Sequence, residues 1–283
     1  MREKYFLGLN PQGFHKIVYS EWGDPDNPRV VICAHGLTRN RHDFDWLAES
    51  LSKHFRVVCP DIVGRGQSDY LHDPLRYNYP QYMADMNALI ARLNVEKLMW
   101  VGTSMGGLIG MMLAGVPQSP ITKMVINDIG PLVPAEGLRR LSQYAPVSHI
   151  FQEFDHIIDY LKETLRGYSG FTALQWKKLA ENSAVWDEIH KGWKALYDPA
   201  VAAYLNTSDL TDLDFWKYWN QLNCPCLVLH GAISDILRAD TALEMSRKPR
   251  VRVIDFEGQG HALSIGTPEQ IDLVTQWLLR EEQ

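Results

Sequence analysis

Nowhere in the 283 residues is there a run of about 18 consecutive apolar residues, which leaves no candidate for a membrane-spanning helix. The opening residues Met1-Arg2-Glu3-Lys4-Tyr5 lack the apolar segment of a secretory signal. Positive charge is not in excess. The net charge of -6 argues against nucleic acid or an anionic membrane surface as partner. Cysteine is scarce: Cys33 and Cys59 lie inside apolar runs, where a thiol packs as a small hydrophobe. Cys224-Pro225-Cys226 lacks C-x-x-C spacing, and no second Cys/His pair at ligand spacing follows it. Neither a zinc site nor a redox motif is expected. The expected compartment is the reducing cytoplasm. No internal repeat or low-complexity tract interrupts the chain.

What is present is ordinary globular material, 46% hydrophobic and 22% charged, on a chain long enough to bury a substantial core. Short β-branched runs alternate with longer helical patterns. Strands are expected at His15–Trp22, Val30–Ala34, Phe55–Pro60, Leu98–Val101, Lys123–Asn127, Cys226–His230 and Val251–Phe256. Between them, Phe44, Leu47, Ala48 and Leu51 follow i, i+3, i+4, i+7, as do Met86, Leu89, Ile90 and Leu93. Thr267-Pro268-Glu269-Gln270 reads as an N-cap, a proline in the first turn and a capping-box glutamine. Val30-Val31-Ile32-Cys33-Ala34 has no polar alternation, as befits a strand covered on both faces in a parallel sheet. The fold class is therefore α/β and doubly wound, with chemistry expected at the carboxyl ends of the strands.

From Pro131 to about Phe215 no convincing strand is legible, while Phe154, Ile157, Ile158, Leu161 and Leu165 keep one helical face. The expected organisation is a core of residues 1–130 and 216–283, with residues 131–215 inserted as a helical cap over the site. The tryptophans Trp176, Trp186 and Trp193 fall in this insertion. They favour an apolar substrate group or simply a packed interior.

Gly102-Thr103-Ser104-Met105-Gly106 matches G-x-S-x-G between a strand and a helical pattern. A turn that sharp leaves no room for side chains at Gly102 and Gly106 and lifts the serine hydroxyl clear of the sheet. No lysine follows as a phosphate loop requires. A serine hydroxyl needs a base to take its proton. His261, in Gly258-Gln259-Gly260-His261, lies just past the last strand and supplies one. Asp235 lies in the turn after Cys226–His230 and is the expected acid, ahead of Asp128 at the end of Lys123–Asn127; Asp61 ends another strand but leads into a glycine-rich turn. His230 reads as a buried strand-end residue. The backbone N–H groups of Leu37 and Met105 are the expected oxyanion donors, with His35 and Gly36 supporting the first of them.

These pieces together resemble the α/β-hydrolase superfamily. They are Cys33-Ala34-His35-Gly36, Asp61 with Gly64-Arg65-Gly66-Gln67-Ser68, the serine turn Gly102–Gly107, His230 to Asp235, and Gly260-His261. The resemblance implies a mostly parallel eight-stranded sheet whose first two strands are antiparallel, flanked by helices, with a cap between the sixth and seventh strands. It also implies a serine hydrolase that needs no cofactor or metal and cleaves a carboxylic ester, lactone or thioester through an acyl-enzyme on Ser104. The partner expected is a small ester-type molecule, and the protein a monomer or homodimer. Serine argues against the dehalogenase-like and epoxide-hydrolase-like branches, whose nucleophile is aspartate. Carboxylesterases, lactonases, haloperoxidase-like enzymes and C–C bond hydrolases of aromatic ring-cleavage products remain open, as does a non-enzymatic ligand-binding member of the fold.

Overall fold

The computed structural model describes residues 1–280. Its centre is an eight-stranded sheet built from β1 (Arg2–Asn10), β2 (Gly13–Trp22), β3 (Val30–Ala34), β4 (Arg56–Pro60), β5 (Leu98–Thr103), β6 (Ile121–Asn127), β7 (Cys226–Gly231) and β8 (Val251–Phe256). The spatial order is β1-β2-β4-β3-β5-β6-β7-β8. β2 runs antiparallel to both of its neighbours, and every pair from β4 to β8 is parallel. The all-buried strand β3 sits inside the sheet, as its unbroken apolar run requires.

Strand β1 has no counterpart among the strands read from the sequence. Its outward residues Tyr5, Leu7 and Leu9 are 59%, 55% and 58% exposed, while Phe6 faces the interior. Apolar side chains on both faces hide the period of two. β2 pairs with β1 in full register from Arg2↔Glu21 to Asn10↔Gly13.

Helices cover both faces. On one side, α1 (Asp45–Leu51) and α9 (Pro268–Leu279) bury Leu47, Ala48, Leu51, Val274 and Leu278 against Val31, Cys33, Val57 and Leu229. On the other, α2 (Tyr79–Leu93), α3 (Met105–Ala114), α7 (Trp216–Gln221) and α8 (Ala239–Ser246) pack Met86, Leu89, Ile109, Trp219 and Met245 against Ile32, Trp100 and Ile126. α2 is framed by Asn78, whose side chain accepts from Gln81 N–H, and by Asn94 in the left-handed region at φ 52°. At α9, Thr267 caps Gln270 N–H, but the capping box stays half-formed. The Gln270 amide turns to Ser264 and Gln259 instead of reaching back to the cap.

Residues 131–215 lie between β6 and α7. They hold α4 (Ala135–Ser142), α5 (Phe154–Thr164) and α6 (Ala173–Glu181). They also hold strands that the sequence did not disclose. Ile150–Phe151, Gly192–Ala195 and Ala184–Asp187 form a three-stranded sheet, and Leu132–Val133 pairs with Leu213–Asp214 where the chain enters and leaves. At two to four residues each, these strands are too short to carry a pattern. The insertion has a small core of its own, centred on Ile157, Leu161, Tyr168, Leu179 and Ala180, with Trp46 of α1 packed against it.

Candidate active site

Ser104 stands between the end of β5 and the start of α3 with φ 51° and ψ −117°, a strained conformation for a residue with a side chain. The turn is tight enough that a methyl group at Gly102 would come within 2.4 Å of the Gly106 carbonyl oxygen. One at Gly106 would come within 2.0 Å of the Ala34 carbonyl oxygen. Strand, strained serine and helix are thus pressed against β3.

The Ser104 Oγ lies 2.9 Å from His261 Nε2, and His261 Nδ1 lies 2.8 Å from Asp128 Oδ2. An ionised carboxylate only accepts, so Nδ1 carries the proton and Nε2 is left to accept from the serine hydroxyl. Asp128 is fully buried, and its carboxylate is satisfied on every side. Gly231 N–H donates to Oδ1 at 2.7 Å, and the Ser234 hydroxyl donates to Oδ2 at 2.6 Å. Asn127 ties the parts together. Its carbonyl accepts Ser104 N–H at 3.0 Å, and its side-chain amide donates to Thr103 Oγ1 at 3.0 Å and to the Leu263 carbonyl at 2.7 Å.

Asp235, expected from sequence to orient the histidine, does not do so here. Both of its carboxylate oxygens accept from Arg140 of α4, Oδ1 from Nη2 at 2.9 Å and Oδ2 from Nε. Burial works to raise the Asp235 pKa, but the Arg140 hydrogen bonds and charge overcome it and hold the carboxyl below the usual range. The position facing His261 belongs to Asp128. Asp128 follows β6 directly in a left-handed turn at φ 50°, and β6 adjoins the serine strand β5. Asp235 lies four residues beyond the end of β7, where a cation from the insertion engages it. Both aspartates follow strand ends, and the sequence favours Asp235 because it alone lies in the turn between the last two strands before His261. Ser234, next to Asp235, is the residue that donates to Asp128, and it carries no signal in the sequence.

His230 is buried with both ring nitrogens in use, on Asp255 Oδ1 at 2.7 Å and the Leu237 carbonyl at 3.0 Å. Asp61 is buried on Arg41 and on the Gln67 N–H.

Around the serine, His35 and Gly36 set the loop after β3. A Cβ at Gly36 would lie 3.7 Å from Ser104 Cβ, in ordinary contact. Ile62 N–H donates to His35 Nε2 at 2.9 Å, so Nδ1 carries the proton and donates to the Gly36 carbonyl at 2.8 Å. Leu37 follows directly. Met105 opens α3, where the leading N–H groups have no partner inside the helix. Arg65, taken from sequence as part of a structural turn, lies between the two: its Nε donates to the Leu37 carbonyl at 2.9 Å and its Nη2 approaches Met105 Sδ at 3.3 Å.

Burial pushes the His35 pKa down to about 3. The folded protein keeps this ring neutral while the unfolded chain takes up a proton near the ordinary histidine value of about 6.5. Between those values the unfolded state binds more protons, so stability falls as pH drops from about 6.5 toward 3. The expected result is a thermal midpoint that declines through this window, with His35 ring resonances that do not titrate at pH 5. A protonated His35 ring at pH 5 in the folded protein would contradict this.

A mostly parallel sheet with a hydrogen-bonded Ser–His–Asp chain at its carboxyl edge, on a strand-turn-helix, marks a class, and the chain belongs to it: the α/β-hydrolase fold family matches residues 29–268. The chain is similar to the 3-hydroxybutyrate-oligomer hydrolase of Cupriavidus necator, 40% identical over 279 residues covering 95% of this chain and 94% of that protein. It is also similar to a crystal structure from Rickettsia typhi at 32% identity and TM-score 0.93, covering all of both chains. An α/β hydrolase from Novosphingobium aromaticivorans follows at 34% identity and TM-score 0.86, covering 98% of this chain and 97% of that one. Among the described residues, no helix is long and apolar enough to cross a membrane.

Proposed function

We propose that this protein is a serine carboxylic ester hydrolase acting on short linear esters of small hydroxy acids, of which 3-hydroxybutyrate oligomers are the leading candidate. The observation that carries the reading is the relay from Ser104 Oγ through His261 to Asp128, at 2.9 and 2.8 Å, on a strained serine turn. Ser104 attacks the ester carbonyl as His261 Nε2 takes its proton. Asp128 holds the ring in the required tautomer and stabilises the imidazolium. The N–H groups of Leu37 and Met105 receive the developing oxyanion. The C–O bond then breaks, and His261 passes its proton to the departing alkoxide, which leaves as the free hydroxyl of the next unit. Water, deprotonated by His261, attacks the acyl-enzyme and releases the acid, with the proton returning to Ser104. Residues 131–215 serve as the cap over the core formed by 1–130 and 216–283. Arg140 on Asp235 and the close approach of Gly167 to the Gly260 and Ala262 carbonyls support that placement beside the site.

The substrate class rests on the likeness to the Cupriavidus necator enzyme. Purified protein is expected to convert the linear 3-hydroxybutyrate dimer to monomer, with a kcat/KM at least about tenfold above that for a simple butyrate ester of an alcohol of similar size; a discrimination of that order corresponds to about 1.4 kcal/mol of differential transition-state binding. Equal or better cleavage of the simple ester would remove the hydroxy-acid assignment. Cleavage of a ring-fission C–C substrate in preference to every ester would replace the reaction.

A further inference from the structure

Three arginines are buried among the described residues. Arg39 is matched by Asp43, and Arg41 by Asp61 and Glu3. Arg65 is wholly buried, yet among the described residues no carboxylate lies within ion-pair distance of it. Its acceptors are neutral: the Leu37 carbonyl at 2.9 Å, the Val63 carbonyl at 2.7 Å, the Tyr82 hydroxyl at 3.1 Å and the Met105 thioether at 3.3 Å. The Tyr82 ring adds a weak π contact at 5.0 Å. Taking a full positive charge out of water without a counter-charge is costly, so an unmatched buried guanidinium calls for a use.

The location supplies the use. Two of the four acceptors belong to Leu37 and Met105, whose N–H groups are assigned above to the oxyanion. The buried guanidinium is therefore bonded to both residues that carry the donors, with little water to screen it, and its field favours negative charge nearby. Its fork also fixes the Leu37 carbonyl and the Met105 side chain, so the donors meet the reaction already oriented.

We propose that Arg65 is a positioning residue for the oxyanion site: its unneutralised charge and its bonds to Leu37 and Met105 stabilise the tetrahedral anion rather than the bound ester. This rests on the serine hydrolase reading. In the resting enzyme the charge has no partner, and in the transition state the oxyanion becomes one. The interaction therefore appears in turnover rather than in substrate binding.

The test uses the full-length enzyme and a short alkyl boronic acid, which adds to a nucleophilic serine as a tetrahedral anion. Arg65→Met is expected to lower kcat by about 10²-fold, in the range of losing one oxyanion donor. It should weaken boronate inhibition by a similar factor, with KM changed less than about threefold. Arg65→Lys keeps the charge and loses the fork, so kcat and boronate affinity should fall together by a smaller factor. Where Arg65→Met does not fold, the lysine variant decides alone. A fall in kcat with unchanged boronate affinity, or turnover at the wild-type level in whichever variant folds, overturns the proposal. If wild-type enzyme itself ignores the boronate while hydrolysing esters, the serine reading fails first and takes this one with it.

Discussion

Replacing Ser104 by alanine is expected to lower ester turnover by about 10⁵-fold or more, with the thermal midpoint close to wild type. Among the described residues, the Ser104 hydroxyl is the nucleophilic group within hydrogen-bond distance of His261 Nε2, at 2.9 Å, and the proposed mechanism forms its acyl-enzyme there. The side chain makes no capping hydrogen bond to α3, so the fold does not depend on it. The backbone at φ 51° is unfavourable for any residue with a Cβ, and alanine inherits that strain unchanged. Catalysis left over from the N–H donors and from binding can still exceed that of water by about 10³-fold. Steady-state kinetics on one well-used ester, with a melting curve, measures both quantities. A variant that keeps a tenth of wild-type turnover removes Ser104 from the mechanism.

The second large effect separates the two aspartates. Asp128→Asn is expected to cost up to about 10⁴-fold in kcat, because an amide beside His261 Nδ1 can donate where the carboxylate accepted and so favours the wrong ring tautomer. The site magnifies the loss. Asp128 is buried and also accepts from Gly231 N–H and Ser234 Oγ. An amide NH2 in that pocket leaves at least one of those donors facing another donor. Asp235→Asn should cost no more than about tenfold. It weakens a charge-assisted pair with Arg140, worth about 1.5–3 kcal/mol where buried and less at this partly exposed site, and leaves the His261 tautomer alone. Kinetics of the two single variants on one substrate, with circular dichroism to establish folding, decides between them. A neutral Asp128→Asn beside a collapsed Asp235→Asn would return the acid to the later strand.

The contrast between these aspartates shows where sequence reasoning stopped. Ser104 was legible because the turn leaves a local mark: an apolar strand, glycines where side chains would meet backbone, and a helix immediately after. His261 was legible by its place past the last strand. Which aspartate faces the histidine depends on information the local sequence does not hold. One part is the order of β5, β6 and β7 in the sheet. The other is Arg140, 95 residues before Asp235, which engages its carboxylate. In the sequence Arg65 shows only as part of a glycine-rich turn, because Leu37 and Met105, which it contacts, are distant in the chain. The central strands declared themselves by continuous apolar runs. β1 did not, since its apolar residues occupy both faces, and the short strands of the insertion hold too few residues for any period.

Trapping the acyl-enzyme tests the central claim most directly. The protein is mixed with an activated 3-hydroxybutyrate ester, quenched in acid during turnover, digested and mapped by mass spectrometry. The account predicts the acyl group on the peptide that carries Ser104, and no such adduct in the Ser104→Ala protein. Steady turnover with no acylated peptide, or acylation mapped to a different residue, would contradict it.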